Sequence, residues 1–180
     1  MPVPTLITER LILRAFTLDD AKRVQQLAGA FEIADTTGHI PHPYPDSAAE
    51  DWIGGHAQEF ADGDSATFAI TLRATGELSG AIGLTIHPKN SSAELGYWLG
   101  VPFWNCGYMT EAARAVIHFG FDSLQLNRIY ASHFPRNSAS GRVMQKAGMT
   151  YEGTLRAHFV RWEKPEDLVY YGILKSEWKG

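Results

Sequence analysis

A strand, a short loop and the start of a helix are predicted in turn by residues 94–112, which read Glu94-Leu-Gly-Tyr-Trp-Leu-Gly-Val-Pro-Phe-Trp-Asn-Cys-Gly-Tyr-Met-Thr-Glu-Ala112. Leu95, Tyr97 and Leu99 occupy alternate positions, as residues on one face of a strand do. After Gly107 the apolar residues recur at helical spacing. The start of such a helix carries free backbone N–H groups and the positive end of the helix dipole, so this segment is suited to bind an anion such as phosphate.

Working outward from this segment, the periods of the apolar side chains predict the order β-αα-βββ-α-β-α-ββ, which is that of an α/β (α+β) protein. The predicted strands cover residues 9–16, 67–73, 77–87, 93–100, 128–133, 149–155 and 168–175. Two capping-box patterns, Thr17-Leu-Asp-Asp20 and Ser47-Ala-Ala-Glu50, predict the starts of the first two helices. Two more helices are expected at 107–122 and 138–147. Residues 31–46 are rich in Gly, Pro, His and Thr and predict a loop.

Length and composition bound the class of protein. The 180 residues, 44% of them hydrophobic, predict one domain over residues 1–180. The start Met1-Pro-Val-Pro-Thr5 lacks the features of a signal peptide, and no apolar run approaches the ~20 residues of a membrane span. The single cysteine, Cys106, cannot form an intrachain disulfide, so we expect a reducing compartment and a cytoplasmic protein. The net charge of -4, without clustered Lys or Arg, gives no reason to expect nucleic-acid binding.

Four motifs resemble those of a known superfamily. Trp104-Asn-Cys-Gly-Tyr-Met-Thr-Glu-Ala112 and Asn137-Ser-Ala-Ser-Gly-Arg-Val-Met-Gln-Lys-Ala-Gly-Met149 are similar to the coenzyme A-binding core of GNAT N-acetyltransferases. Thr8-Glu-Arg-Leu-Ile-Leu-Arg14 and Glu94-Leu-Gly-Tyr-Trp-Leu99 resemble the branch of ribosomal-protein alanine N-acetyltransferases. The resemblance covers nearly the whole chain. It implies a GNAT fold, with a twisted mixed central sheet of about seven strands flanked by four helices, and acetyl-CoA as cosubstrate.

The resemblance also implies a set of cofactor-binding residues. The superfamily's pyrophosphate loop has Gln or Arg, two residues, Gly, one residue, then Gly or Ala; the positions here are Trp104, Gly107 and Met109, of which only Gly107 matches. Backbone amides are expected to hold the pyrophosphate, and the main chain of Leu99 and Val101 to pair with the pantetheine arm. The implied set is Leu99, Val101, Trp104, Asn105, Cys106, Gly107, Tyr108, Met109, Thr110, Asn137 and Ser140.

Three residues are candidates for the chemistry. An alkyl amine of pKa ~8 to 10 is mostly protonated at neutral pH, so a base or a water relay must take its proton. Glu94 and His158 are the candidate bases, although Glu94 equally suits a cross-strand ion pair and His158 a surface histidine. Many superfamily members have a proton-donating tyrosine where this chain has Met144. Ser140 is therefore the candidate to protonate the departing thiolate.

Other chemistries find less support in the sequence. His39 and His42 lie in a Pro-rich loop without a third ligand, so no metal site is predicted. Cys106 has no histidine placed to activate it as a nucleophile. No Gly-Lys-Ser/Thr phosphate loop follows a predicted strand, which argues against a nucleotide-phosphate enzyme.

The predicted function is transfer of an acetyl group from acetyl-CoA to a primary amine. By resemblance the first acceptor is a protein N-terminal amine, and the second is a small amine such as a polyamine, amino acid or antibiotic. An open acceptor site favours the first, and a closed pocket ringed by Asp46, Glu50 or Asp51 the second. Met144 also leaves open a non-catalytic acyl-CoA sensor. The resemblance is compatible with a homodimer, and no membrane partner is predicted.

Overall fold

One eight-stranded sheet forms the centre of the computed structural model, which describes residues 3–180. Its strands are β1 (Leu6–Ile7), β2 (Leu11–Arg14), β3 (Ser65–Leu72), β4 (Leu78–His87), β5 (Ser92–Leu99), β6 (Arg128–His133), β7 (Thr150–Arg161) and β8 (Lys164–Leu174). The spatial order is β1-β2-β3-β4-β5-β6-β8-β7, and β5 with β6 is the parallel pair in this otherwise antiparallel sheet. Met1 and Pro2 lie outside the described residues. They begin both the predicted domain and the N-terminal segment in which no signal peptide is predicted.

Five α-helices flank this sheet in the described part of the chain. They are α1 (Ala21–Ala28), α2 (Phe31–Thr36), α3 (Ala48–Asp62), α4 (Tyr108–Asp122) and α5 (Ser138–Lys146). Helices α1 and α3 pack on each other and on β4 and β3, whereas α4 and α5 pack on each other and on β4 and β6. No helix within residues 3–180 is long and apolar enough to cross a membrane.

The predicted mixed α/β sheet and its element order are confirmed, with three corrections. Residues 31–36, predicted as loop, form α2, a six-residue helix that buries Ile33 and Ala34 and is too short to show an apolar period. Strand β1 has only two residues and is defined by its pairing with β2. Ser47 is left-handed, with φ of 61°, and makes no side-chain cap, so the second predicted capping box does not form.

The two faces of β5 are those predicted from its alternation. Tyr97 points toward α5, where its hydroxyl contacts Ser140. Leu95 is buried beside Leu84 of β4 on the same face, and Trp98 lies on the opposite face, beside Ala81. Strand β5 therefore contributes buried side chains to the packing on both faces of the sheet, one for each layer of helices.

Strands β5 and β6 separate soon after they meet. They pair over three positions only, from Ser92 with Arg128 to Glu94 with Tyr130. Beyond this point β5 continues to pair with β4 up to Leu99, and β6 continues to pair with β8 up to His133. The sheet consequently opens into a wedge, defined here as the gap between residues 95–99 of β5 and 131–133 of β6.

A partly buried ion pair fixes the connection from β2 to α1. Asp20 accepts hydrogen bonds from Arg14 Nη1 (2.7 Å), Arg14 Nη2 (2.8 Å) and the Thr17 backbone N–H (2.9 Å). The last contact is the carboxylate half of the first predicted capping box. Burial alone would raise the pKa of Asp20, but the bonds from Arg14 and Thr17 outweigh it and lower the pKa below its ordinary value.

We expect Asp20→Asn to lower the free energy of unfolding at pH 7 by about 1 kcal/mol, because it removes a partly buried charge-assisted pair and leaves Arg14 without its charged partner. The folded-state pKa is depressed, so this stabilisation is present above the unfolded-state pKa of ~3.9 and is lost as the pH falls through the folded value. Urea unfolding of wild type and variant from pH 7 to pH 3 measures it. The exposed neighbour Asp19→Asn is the control, and equal losses in both variants would contradict the assignment.

Candidate active site

A cavity of about 1330 Å³ occupies the wedge between β5 and β6. Its walls come from β5, from the start of α4, from α5 and from residues 36–41, which are the end of α2 and the start of the loop after it. This volume exceeds the ~300–1,000 Å³ of a typical small-ligand pocket, so it has room for a long cosubstrate and an acceptor together. The predicted site residues that line it are Glu94, Leu99, Trp104, Asn105, Cys106, Gly107, Tyr108, Met109, Thr110, Asn137, Ser140 and His158.

Val101 is the predicted site residue that does not line the cavity. After β5 the chain enters a single 3-10 turn, Val101–Phe103, and the Val101 carbonyl accepts a hydrogen bond from the Trp104 N–H at 3.2 Å. The turn carries Val101 away from the line of the strand. The Trp104 indole returns to β5 and donates to the Leu99 carbonyl at 2.6 Å, which closes the end of the strand.

Six consecutive backbone N–H groups form the part of the cavity that suits an anion. The N–H groups of residues 105–110 find no acceptor among residues 3–180, since the first bond of this region is from the Glu111 N–H to the Gly107 carbonyl. Asn105 and Gly107 are left-handed, with φ of 61° and 79°. Alternation of left- and right-handed residues turns successive N–H groups toward a common point, and the helix dipole of α4 adds positive potential there. We refer to residues 105–110 as the amide nest.

Ser140 and Tyr97 form a hydroxyl pair across the cavity wall. Their oxygens lie 2.9 Å apart, and the Tyr97 hydroxyl is also 3.2 Å from the Ser140 carbonyl. Burial raises the pKa of Tyr97 far above its ordinary value, so the phenol stays protonated. The pair can hold and pass a proton. Sequence reasoning missed Tyr97 as a partner because residues 43 positions apart meet only once β5 faces α5; the alternation of β5 is the signal that could have found it.

Asn137, one of the implied cofactor-binding residues, also has a structural role. Its side-chain oxygen accepts from the Ser140 N–H at 3.2 Å, which makes it the N-cap of α5. Its amide nitrogen donates to the Thr36 carbonyl at 3.3 Å. Asn137 thus holds Ser140 and the loop after α2 at fixed positions in the cavity wall. Met144, on the same helix, is a buried core residue.

Glu94 and His158 lie at the inner end of the wedge. Glu94 belongs to the last pair of β5 with β6, and its side chain faces the layer opposite Leu95. Burial, together with the nearby Glu94 carboxylate, raises the pKa values of Tyr130 and Tyr170. The His158 ring packs edge-on against Tyr170 at 6.3 Å between centroids. A carboxylate, an imidazole and two phenols therefore share this part of the sheet.

A guanidinium from β7 ties α2 and the loop after it to the sheet. Arg161 of β7 donates to the backbone carbonyls of Gly38 (3.2 Å) and Ile40 (2.6 Å), and also to that of Ala34. The same guanidinium stacks on Trp162 at 4.1 Å from the ring centroid. The predicted loop at His39–Pro45 is irregular and contains a cis peptide at His42–Pro43. It forms one wall of the site.

The remaining sequence expectations concern metals and the thiol. Among residues 3–180 the structure has no group of three or more His, Cys, Asp or Glu side chains that could hold a metal ion. Cys106 is a free, exposed cysteine within the amide nest, and its Sγ lies 3.4 Å from the Trp104 carbonyl oxygen.

The mixed sheet opens at its parallel pair, with the amide nest at the end of one strand and a hydroxyl pair facing the gap, an arrangement that suits acyl transfer. Comparison with known proteins agrees. Residues 10–150 match the acetyltransferase (GNAT) domain. The chain is 34% identical over 178 residues to the uncharacterized N-acetyltransferase p20 of Bacillus licheniformis, covering 98% of this chain and 99% of the relative. The chain belongs to the GNAT acetyltransferase family.

Two further relatives place the chain within this family. A GNAT-family acetyltransferase from Bacillus anthracis superimposes with a TM-score of 0.86 at 25% identity, covering 96% of this chain and 99% of that one. The ribosomal-protein-serine acetyltransferase of Escherichia coli strain K12 is 32% identical over 103 residues, which are 56% of this chain and 58% of that protein. The relatives therefore include ribosomal-protein acetyltransferases, as the motifs predicted.

We expect Gly107→Ala to weaken binding of coenzyme A while Gly63→Ala leaves it unchanged. Both glycines are left-handed, with φ of 79° and 80°, so both variants should lose roughly 1–2 kcal/mol of stability. Gly63 ends α3 with open space around it, whereas relaxing the backbone at Gly107 turns an N–H out of the amide nest. Calorimetric titration with coenzyme A, beside thermal melting, separates the two effects. Wild-type affinity in Gly107→Ala would contradict the nest.

Proposed function

We propose that this protein is an acetyl-CoA-dependent N-acetyltransferase whose acceptor is a protein N-terminal amine. The observation that carries the proposal is one continuous cavity lined by the amide nest, by the free side of β5 and by Ser140. These three features supply a phosphate site, a strand edge and a proton donor along one path. Cytoplasm is the proposed location, because the free Cys106 is stable in a reducing compartment. A homodimer stays a prediction.

The residues around the cavity fit coenzyme A in charge and in shape. The amide nest is suited to its pyrophosphate. Residues after Glu94 on β5 have no β6 partner in the ladder, so an extended amide chain such as the pantetheine arm can pair with them as an added strand. Arg142 and Lys146, one turn apart on α5, add positive charge to the cavity lining. Bound there, acetyl-CoA supplies the activated acetyl group.

The chain's own side chains supply the proton transfers. Acetyl transfer to an amine breaks the C–S bond, forms a C–N bond, and requires one proton to leave the nitrogen and one to reach the sulfur. Ser140, held by Tyr97 at 2.9 Å, is the proposed donor to the departing thiolate. Glu94 is the proposed acceptor of the amine proton, directly or through water, because it lies where the wedge begins. His158 is the alternative base.

An open acceptor side favours a peptide over a small amine. None of Asp46, Glu50 and Asp51 is among the residues that line the cavity, and all three are exposed. The wall is instead the loop of residues 36–41, whose backbone is tied to Arg161. The Escherichia coli relative, a ribosomal-protein-serine acetyltransferase, supports the same acceptor class.

We expect thiol release from acetyl-CoA with peptides that carry a free N-terminal amine, and slower release with polyamines or aminoglycosides. Ser140→Ala should lower kcat by about a hundredfold, because a general acid contributes ~10²-fold or more. Tyr97→Phe should cause a smaller loss, since it removes only the partner of Ser140. Ser123→Ala, an exposed serine after α4, is the control. Turnover with small amines alone would refute the proposed peptide acceptor. Coenzyme A binding without turnover on any amine would identify a sensor.

We expect Glu94→Gln to lower kcat/KM by about a hundredfold, because the amide cannot accept the amine proton. His158→Gln is the matched comparison, since it also lines the cavity, and should keep a kcat/KM close to that of wild type. The measurement is kcat/KM for a peptide acceptor at saturating acetyl-CoA. If His158→Gln shows the large loss instead, the roles are exchanged; if neither variant loses activity, a water relay without either side chain takes the proton.

A further inference from the structure

We infer that Arg10 is a positioning residue that holds the amide nest in its anion-binding form, and that Glu111 holds Arg10. This inference rests on the proposed binding of coenzyme A. Neither residue lines the main cavity, so their effect on the ligand is indirect. The case depends on four contacts between the segment before β2 and the start of α4.

The first contacts fix Glu111 in the opening turn of α4. Its carboxylate accepts from Thr8 Oγ1 at 2.6 Å, from the Arg10 backbone N–H at 2.8 Å and from Arg10 Nε at 2.7 Å. Burial alone would raise the pKa of Glu111, but the bonds from Thr8 and Arg10 outweigh it and lower the pKa, so the carboxylate is charged. These bonds attach α4 to the edge of the sheet formed by β1 and β2.

A further contact fixes one peptide plane of the nest. Arg10 Nη1 donates to the Cys106 carbonyl at 2.9 Å. The Cys106–Gly107 peptide is planar and trans, so its N–H, on Gly107, points away from the carbonyl oxygen. Holding the oxygen toward Arg10 therefore directs the Gly107 N–H to the other side. Cys106 and Gly107 line the main cavity and Arg10 does not, so that side is the cavity.

This peptide is one that needs to be held. It joins Cys106 to the left-handed Gly107, and glycine adopts φ values of either sign with little penalty. A flipped Cys106–Gly107 peptide would place a carbonyl oxygen where the anion binds and would repel it. The Arg10 guanidinium is a single planar group that binds both partners at once. Its Nε donates to Glu111, and its Nη1 donates to the Cys106 carbonyl.

The negative charge of Glu111 gives the ion pair a second effect. A carboxylate in the first turn of α4 lies close to the place where the pyrophosphate would bind, and like charges there oppose each other. Arg10 offsets this charge at 2.7 Å. The arginine also stacks on the Tyr108 ring at 4.8 Å, which adds a third restraint on its position.

The test uses the purified full chain with acetyl-CoA and with acetyl-pantetheine, a thioester that lacks the pyrophosphate. Arg10→Ala should raise the Kd of coenzyme A about tenfold, equivalent to ~1.4 kcal/mol, and should raise the KM of acetyl-CoA to match. Its kcat/KM with acetyl-pantetheine should equal that of wild type. Arg10→Lys keeps the charge and an ion pair with Glu111, but a single ammonium cannot hold both partners in the same plane, so it should bind coenzyme A as weakly as Arg10→Ala.

Arg73→Ala is the matched control, because Arg73 is an exposed arginine that lines the same shallow surface as Arg10. It should bind coenzyme A as wild type does. The inference is overturned if Arg10→Lys binds normally, if Arg73→Ala weakens binding equally, or if Arg10→Ala loses activity equally with both thioesters. Thermal melting of Arg10→Lys verifies that the fold is kept. Failure of the wild type to bind coenzyme A would refute the proposed function itself, which is a different result.

Discussion

The separation of β5 from β6 after only three paired positions is the constraint on which the site depends. Each strand keeps its other neighbour, since β4 follows β5 to Leu99 and β8 follows β6 to His133. The gap is therefore held open by two intact ladders rather than by a flexible loop. A ligand that enters it meets strand edges whose positions are already fixed, so little ordering is required when it binds. The parallel pair is also the weaker kind of pairing per residue, which makes it the natural place for a sheet to part.

The two helices beside the gap carry the two kinds of groups that the reaction needs. Helix α4 begins just past the end of β5 and presents backbone N–H groups, whereas α5 presents the Ser140 hydroxyl. Ser140 is restrained twice, through its N–H by the Asn137 side chain and through its hydroxyl by Tyr97. A neutral hydrogen bond of this kind adds only ~1 kcal/mol to stability. Its larger effect is on geometry, because a proton donor must lie within hydrogen-bond reach of the atom that it protonates.

Most of the fold was predictable because a long amphipathic helix or strand shows a regular period of apolar residues in a single sequence. Helix α4 and the two faces of β5 are examples. The features that were not predicted depend on contacts with residues far away in the sequence. Helix α2 is too short for a period and exists because Ile33 and Ala34 are buried. The helical period places Glu111 opposite the apolar stripe of α4 and gives no sign that it is bound to residues about a hundred positions earlier. Val101 was expected to pair through its main chain with the pantetheine arm, but β5 ends at Leu99, and Val101 lies in the 3-10 turn after it.

The net charge of -4 does not by itself exclude an anion-binding site in the cavity. Net charge acts over long distances and is screened beyond ~8 Å in physiological salt, so a ligand responds to the groups near it. At the nest those groups are backbone N–H donors, and the nearby Glu111 carboxylate is offset by Arg10. Glu94 lies five residues before Leu99, roughly 17 Å along an extended strand, so its carboxylate and the nest lie toward opposite ends of the wedge. The wedge therefore presents backbone donors, which suit the proposed pyrophosphate, at one end and a carboxylate, which suits the proposed protonated amine, at the other.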